Sequence, residues 1–133
     1  MADPVITNND LGSVVISDDV YEDGLLTFSA AGTVSAGTLI ARDTSTNNFV
    51  PFVTGGTTNG NGTVSAIVTR DVVATASGDV PFRPLMEGHV RFDKLIIAAD
   101  ADNSNIDGGV IDQLRARGIL ARMSEELYIQ DNQ

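Results

Sequence analysis

Short runs of β-favouring residues alternate with turn-forming clusters along most of this chain, and this rhythm limits the possible folds more than any other feature. The runs occupy residues 25–29, 38–42, 49–53, 63–69, 80–86 and 89–93. Runs of this length, bounded by Gly, Asn, Asp and Pro, predict β-strands. The polar residues 43–48 predict a hairpin turn, and the Gly- and Asn-rich residues 55–62 predict an exposed, mobile loop. Pro81 and Pro84 lack backbone donors, so their strand is expected at a sheet edge or at an irregularity.

One segment follows a helical period instead. Ile106, Val110 and Leu114 recur at every fourth position, and Gly118 follows as a residue suited to end a helix. This spacing predicts a helix over residues 106–117 that packs on the sheet. Shorter β-favouring runs at residues 119–121 and 127–129 predict two more strands, so the fold class is mostly β with one α-helix, an α+β domain.

The first residues differ in character from the rest. Residues 1–12 hold Pro, Asn and Gly with few apolar side chains, as is typical of a mobile arm. The run Val14-Val15-Ile16 is β-branched and could pair as a strand, but it is short and is followed by two Asp residues. The predicted organisation is a flexible N-terminal arm, residues 1–17, followed by a single domain, residues 18–133.

Composition excludes several functional classes. A net charge of −10 disfavours binding to a phosphate backbone, so no nucleic-acid partner is expected, and the absence of cysteine removes disulfides, thiolate metal sites and cysteine nucleophiles. No apolar run approaches the roughly 18 residues that cross a bilayer, so no membrane partner is expected. The first basic residue is Arg42, so no secretion signal is expected and the protein should stay in the cytoplasm where it is made.

Candidate catalytic and metal-binding residues are few. His89 is the single histidine, no Gly-x-Ser-x-Gly motif is present, and His89 is interpreted as an ordinary strand residue. The acidic run at residues 100–107 resembles a calcium loop, but Asn105 and Ile111 stand where an EF-hand needs Gly and Glu. Glu125 and Glu126 are interpreted as part of a solvated turn. The residues therefore predict no enzyme, no metal and no cofactor, and favour a binding or structural module.

Five segments occur in an order that matches a known family. They are AGTLIARD at residues 36–43, FVPF at 49–52, GTVSAIVTRDVVAT at 62–75, GHVRFDKL at 88–95 and LRARGI at 114–119. In this order the chain resembles the head decoration proteins of tailed double-stranded DNA phages, the lambda-type capsid cement proteins, over about residues 13–130. The N-terminal segment is longer than in the shortest members, and the polar tail, residues 130–133, has no assigned role.

The resemblance implies a small β-barrel-like or β-tulip-type domain with one helix that forms a homotrimer. Such trimers bind the major capsid protein on the outer surface of the expanded head, at three-fold and quasi-three-fold positions of the virion, and stabilise it against packaged DNA. The arm would then contact the capsid, disordered when free, through the residues Val5, Ile6, Val14, Val15 and Ile16.

Two other functions stay open from the residues. One is a soluble β-rich module that binds carbohydrate or another surface through residues 55–62, although the chain has no Trp and two Tyr to offer as a stacking platform. The other is a small trimeric hydrolase that uses Asp100 and Asp102 across subunit boundaries, although neither has a recognisable base beside it in sequence.

Overall fold

The structure, a computed structural model, describes residues 14–122, and this part of the chain is mostly β. The strands are β1 (Val15–Tyr21), β2 (Gly24–Phe28), β3 (Gly32–Val34), β4 (Leu39–Arg42), β5 (Phe49–Pro51), β6 (Ala66–Ile67), β7 (Val72–Ala74), β8 (Gly78–Phe82), β9 (Leu85–Arg91) and β10 (Ile119–Arg122). One helix, α1 (Gly108–Ala116), and a 3-10 turn (Phe92–Lys94) complete the elements. The predicted fold class, mostly β with one helix, is confirmed.

Most strands join one mixed sheet. Its order is β1-β9-β6-β4-β5-β2-β8, with β10 also paired to β9, while β3 and β7 form a separate two-stranded sheet. The pairs β2–β5 and β9–β10 are parallel and the other pairs are antiparallel. Within residues 14–122 the sheet does not close into a barrel, so the barrel-like shape that was expected is replaced there by a mixed sheet.

The sheet buries apolar side chains on both faces. On β4, Leu39 lies in one hydrophobic cluster and its neighbour Ile40 in another, and both are fully buried, because successive strand residues point to opposite faces. The first core, which includes Leu39, packs against the helix and holds Val14, Leu39, Phe52, Val64, Ile67, Leu85, Val90, Leu95, Ile97, Ile106, Val110, Leu114 and Ile119. The second core holds Leu26, Phe28, Ile40, Phe49, Ala66, Val68, Val72 and Ala74. Two cores explain why β4 is buried almost throughout.

The helix occupies the position that its period predicts. Ile106, Val110 and Leu114 are all buried in the first core. The helix begins at Gly108, two residues after the predicted start, because the Asp107 carboxylate accepts a hydrogen bond from the Val110 N–H at 3.1 Å and caps it. Gly118 follows the last turn with φ +88°, a conformation that glycine adopts without strain. The buried apolar face, the Asp107 cap at the start and Gly118 at the end therefore all agree with the helix that the sequence predicts.

Several strand predictions differ from the structure, and the predicted run 63–69, for example, contains only the short strand β6. Strand β1 does not end at Asp18 but continues to Tyr21, since an edge strand can leave residues such as Asp19 exposed while its backbone pairs with β9. The predicted strands 80–86 and 89–93 are instead β8 and β9, which separate near Pro84, so that residues 85–91 form one continuous strand. Strands β3 and β7 were not predicted, because each has three residues and is defined by its pairing with the other. Pro81 lies on β8, the terminal strand of the sheet, as expected.

A close backbone approach fixes the segment after β9 against β4. Gly37 has φ +95°, and a Cβ at this position would collide with the carbonyl oxygen of Lys94. The Ile96 N–H donates to the Gly37 carbonyl at 2.9 Å, and the Leu39 N–H donates to the Ile96 carbonyl at 2.9 Å. Only glycine fits here, and the contact brings Leu95 and Ile97 into the first core.

Candidate functional site

The N-terminal end of the described chain is anchored in the domain. Val14 is 5% exposed in the first core, and its carbonyl accepts a hydrogen bond from the Arg91 N–H at 2.9 Å. Val15 and Ile16 are half-buried at the start of β1. Three of the five predicted capsid-binding residues therefore lie on the folded domain.

The other two predicted residues, Val5 and Ile6, lie outside the described residues. Residues 14–17 pack on or pair with the domain in this structure, although they fall within the range assigned to the arm. The arm boundary at residue 17 and the contact of all five residues with a shell stay predictions.

Strand β1 is the terminal strand of the main sheet in the described chain. It pairs with β9 from Val15 opposite Val90 to Tyr21 opposite Leu85, and the register shifts three times along the way. Register shifts twist an edge strand and protect it from uncontrolled pairing. Val20 of this strand is an apolar residue that is 49% exposed. Strand β1 is thus irregular in its pairing, and its residues Asp19 and Val20 are exposed.

A groove of about 580 Å³ lies beside the far end of β1, between β8 and the segment around β7. Its apolar wall includes Val73 and Pro81, and Arg70 and Arg83 supply its cations. The Arg83 guanidinium lies 5.8 Å from the centre of the Tyr21 ring. Partial burial, and then the neighbouring Asp19 carboxylate, raise the pKa of the Tyr21 hydroxyl above its ordinary value. The groove therefore combines apolar and positively charged side chains, as surfaces that contact other molecules often do.

Sequence reasoning missed this groove, because its walls come from strands that are distant in the chain. Asp71, beside Arg70, accepts a hydrogen bond from the Ala36 N–H at 2.8 Å and so ties the segment before β7 to the chain after β3. Arg83 forms an exposed ion pair with Asp23 at 3.2 Å. Pro81, already expected at an edge, was the one residue whose sequence signal pointed toward this part of the surface.

His89 is placed as a strand residue. It lies on β9 opposite Leu120 of β10, and its Nδ1 accepts a hydrogen bond from the Arg122 Nε at 3.3 Å. The neighbouring Arg91 is nine-tenths buried and donates from Nη2 to the Asp93 carboxylate at 2.9 Å. The Nδ1 of His89 is therefore engaged in a contact between β9 and β10.

The acidic loop before the helix, residues 100–107, is held by hydrogen bonds between its own residues. The Asp102 carboxylate accepts hydrogen bonds from the Ser104 N–H at 3.0 Å and the Ser104 hydroxyl at 2.7 Å. These bonds hold the pKa of Asp102 below its ordinary value. Within residues 14–122, no group of three or more His, Cys, Asp or Glu side chains could hold a metal ion. Asp102 is therefore a turn residue in this loop, and its partner in the hydrolase hypothesis, Asp100, is not brought into a metal cluster with it.

The glycine-rich loop, residues 55–62, is exposed but internally bonded. The Val53 N–H donates to the Asn61 carbonyl at 2.9 Å, and the Thr58 N–H donates to the Asn61 side chain at 3.1 Å. A further bond joins the Thr44 N–H to the Asn59 carbonyl at 2.9 Å, which ties the loop to the hairpin after β4. No aromatic side chain stands within this loop to form a sugar-stacking platform.

Comparison with known proteins identifies the relevant family. A family model described as "Bacteriophage lambda head decoration protein D" matches residues 6–119, whereas no curated protein matches the chain. Between residues 14 and 122, no helix is long and apolar enough to span a membrane. The matched range contains the sheet up to the first residue of β10, the helix and most of the segment before β1.

Proposed function

Since this chain belongs to the family of the bacteriophage lambda head decoration protein D, we propose that it is a phage head decoration protein that binds as a trimer to the outer surface of the expanded capsid. The family match over residues 6–119 is the observation that carries the proposal. Its role is structural rather than enzymatic: it stabilises the head against the pressure of packaged DNA at three-fold and quasi-three-fold positions. Its partner is the major capsid protein.

The anchored start of β1 supports an arm that can transmit force from the shell to the domain. An arm that binds the shell can hold the domain in place only if a force on the arm is transmitted to the folded domain. Val14 meets this requirement, because its side chain is in the first core and its carbonyl is bonded to Arg91. We assign direct shell contact to Val5 and Ile6, and we assign to Val14, Val15 and Ile16 the junction where the shell-bound arm becomes β1.

Three arms make modest contacts sufficient. After one arm of a trimer docks, the other two bind at a high effective concentration, so the complex can be long-lived without a strong single site. Electrostatic repulsion opposes the binding of neighbouring trimers, since three chains at −10 each give a net charge of −30 per trimer. Neighbouring trimers therefore repel at low salt, where the Debye length exceeds its physiological value of about 8 Å. Occupancy of heads should fall as ionic strength is lowered, and constant occupancy across a salt titration would contradict this.

The experiment is co-sedimentation with expanded heads that lack decoration. The double variant Val5→Asp, Ile6→Asp removes two apolar side chains from the arm, and Asn8→Asp, Asn9→Asp adds the same charge without removing any. We expect the first variant to lose head binding and the second to retain most of it. Both should remain folded by circular dichroism and trimeric by light scattering.

The outcomes separate the parts of the proposal. Saturation of heads by Val5→Asp, Ile6→Asp would refute the arm assignment while leaving the decoration role intact. A monomer by light scattering for the wild-type chain would refute the trimer. Failure of the wild-type chain to bind expanded heads at any salt concentration would refute the function itself.

A further inference from the structure

The loop at residues 55–62 contains the sequence Asn-Gly twice, as Asn59-Gly60 and Asn61-Gly62. An asparagine followed by glycine is prone to spontaneous loss of its side-chain amide, because glycine has no side chain that hinders the approach of its own nitrogen to the asparagine side chain. The two pairs have the same sequence and lie in the same loop. They differ in how the fold holds them, and this difference separates a reactive asparagine from a protected one.

Asn59 is exposed, and its side chain is not held by hydrogen bonds. Asn59 has φ +49° and Gly60 has φ +83°. The Asn61 N–H donates to the Thr58 carbonyl at 3.0 Å and closes a tight turn around these two residues. The Asn59 side chain and the Gly60 N–H make no hydrogen bond to any residue between 14 and 122. The amide of Asn59 can therefore rotate toward the Gly60 nitrogen without breaking a hydrogen bond.

The Asn61 side chain, in contrast, is held in place. Its Oδ1 accepts a hydrogen bond from the Thr58 N–H at 3.1 Å. The same oxygen packs so closely on Gly56 that a Cβ there would collide with it, and a Cβ on Gly62 would collide with the Gly56 carbonyl oxygen. Rotation of the Asn61 amide toward the Gly62 nitrogen must therefore break the bond to Thr58 and move atoms that are closely packed on Gly56.

We propose that Asn59 is a site of spontaneous modification, at which the side-chain amide is lost through a cyclic imide. The nitrogen of Gly60 attacks Cγ of Asn59 and forms the new C–N bond. The proton of the Gly60 nitrogen passes to the departing amide nitrogen, which leaves as ammonia. Water then opens the imide at either carbonyl carbon and gives aspartate or isoaspartate. The reaction needs water as its only other reactant.

The modification changes both the charge and the backbone. Each event adds one carboxylate, so the net charge of −10 becomes −11. When isoaspartate forms, the backbone carbonyl of Asn59 leaves the main chain and becomes the side-chain carboxylate. That carbonyl now accepts the hydrogen bond from the Thr44 N–H, at 2.9 Å, that ties the loop to the hairpin after β4. Isoaspartate therefore alters this tie, and the inference does not depend on capsid binding.

The first test follows the full-length chain during storage at mildly alkaline pH, which favours loss of the proton from the attacking nitrogen. Cleavage after Arg42 and Arg70 releases both Asn-Gly pairs in one peptide, so Asn61 is an internal control. Mass spectrometry of the fragment ions should show that Asn59 converts about 2- to 10-fold faster than Asn61, the factor that one hydrogen bond supplies. In concentrated urea the two rates should become equal, because the fold no longer distinguishes the two pairs.

Two variants give an independent readout by isoelectric focusing of the stored chain. Asn59→Gln should lose most of the acidic form, because the longer side chain closes the imide ring poorly, whereas Asn61→Gln should retain most of it. Circular dichroism should show that both variants are folded. The proposal would be overturned if Asn61 converts as fast as Asn59 in the folded chain, if the preference for Asn59 persists in urea, or if Asn59→Gln forms as much of the acidic species as the wild-type chain.

Discussion

Replacing Leu114 with alanine tests whether the helix stabilises the sheet by packing. Its side chain is fully buried in the first core, on the same helical face as Val110. Leu→Ala at such a site removes the transfer free energy of the side chain and leaves a cavity, with a cost of about 2–5 kcal/mol. Alanine has the highest helix propensity, so no loss of intrinsic helicity contributes to this figure.

The expected shift is large enough to measure by thermal unfolding. With an unfolding entropy of about 2.1 cal/mol/K per residue, a loss of about 3 kcal/mol lowers the Tm of a chain this long by roughly 10 °C. Circular dichroism should follow the transition at one fixed protein concentration, because self-association would make the Tm depend on concentration.

The control is a substitution on the outer face of the same helix. Asp112 is exposed and forms only a surface ion pair with Arg115, so Asp112→Ala should change the unfolding free energy by less than about 0.5 kcal/mol. If Leu114→Ala and Asp112→Ala shift the Tm by similar small amounts, the packing of the helix described above is wrong.

Three further predictions follow from single contacts. Gly37→Ala should lower the free energy of unfolding in urea by more than about 2 kcal/mol, because the new Cβ would collide with the carbonyl oxygen of Lys94. Gly32→Ala is the control, because the space around Gly32 is open, and its effect should be below about 1 kcal/mol. Asp107→Ala removes the helix cap and should cost about 0.5–2 kcal/mol in the same assay. The pKa of Asp102, followed by NMR titration, should lie below its ordinary 3.8 and should rise in Ser104→Ala. Because the pKa is lower in the folded state than in the unfolded state, the stabilisation from Asp102 is complete above the unfolded pKa and is lost as the pH falls through the folded pKa. The variant Asp102→Asn should not show this loss of stability at low pH.

The sequence predicted the elements whose signals are local. The helix was found because Ile106, Val110 and Leu114 report a period that depends only on the helix itself. Pro81 was placed at an edge because the lack of an N–H donor is a property of one residue. These predictions needed no knowledge of what lies across the sheet.

The elements that were missed depend on partners far along the chain. Strands β3 and β7 are each three residues long and are held together by pairs such as Thr33 with Val73, forty residues apart. The groove beside Tyr21 combines residues from β1, β7 and β8, and no spacing in the sequence brings these strands together. The path of β1 through Asp18 and Asp19 likewise depends on β9, which lies more than sixty residues later.

Strand β9 pairs with both β1 and β10, and it therefore brings the first and last residues of the described chain close together. Val14 and Arg122 lie on opposite sides of Arg91, so about two strand spacings, near 10 Å, separate them. A linker of about four to six residues would bridge this gap, and new ends could be opened in the exposed loop at residues 55–62. Circular permutation would then remove the covalent link between residues 1–13 and β1, so that the stability of the domain could be measured separately from any contribution of those residues.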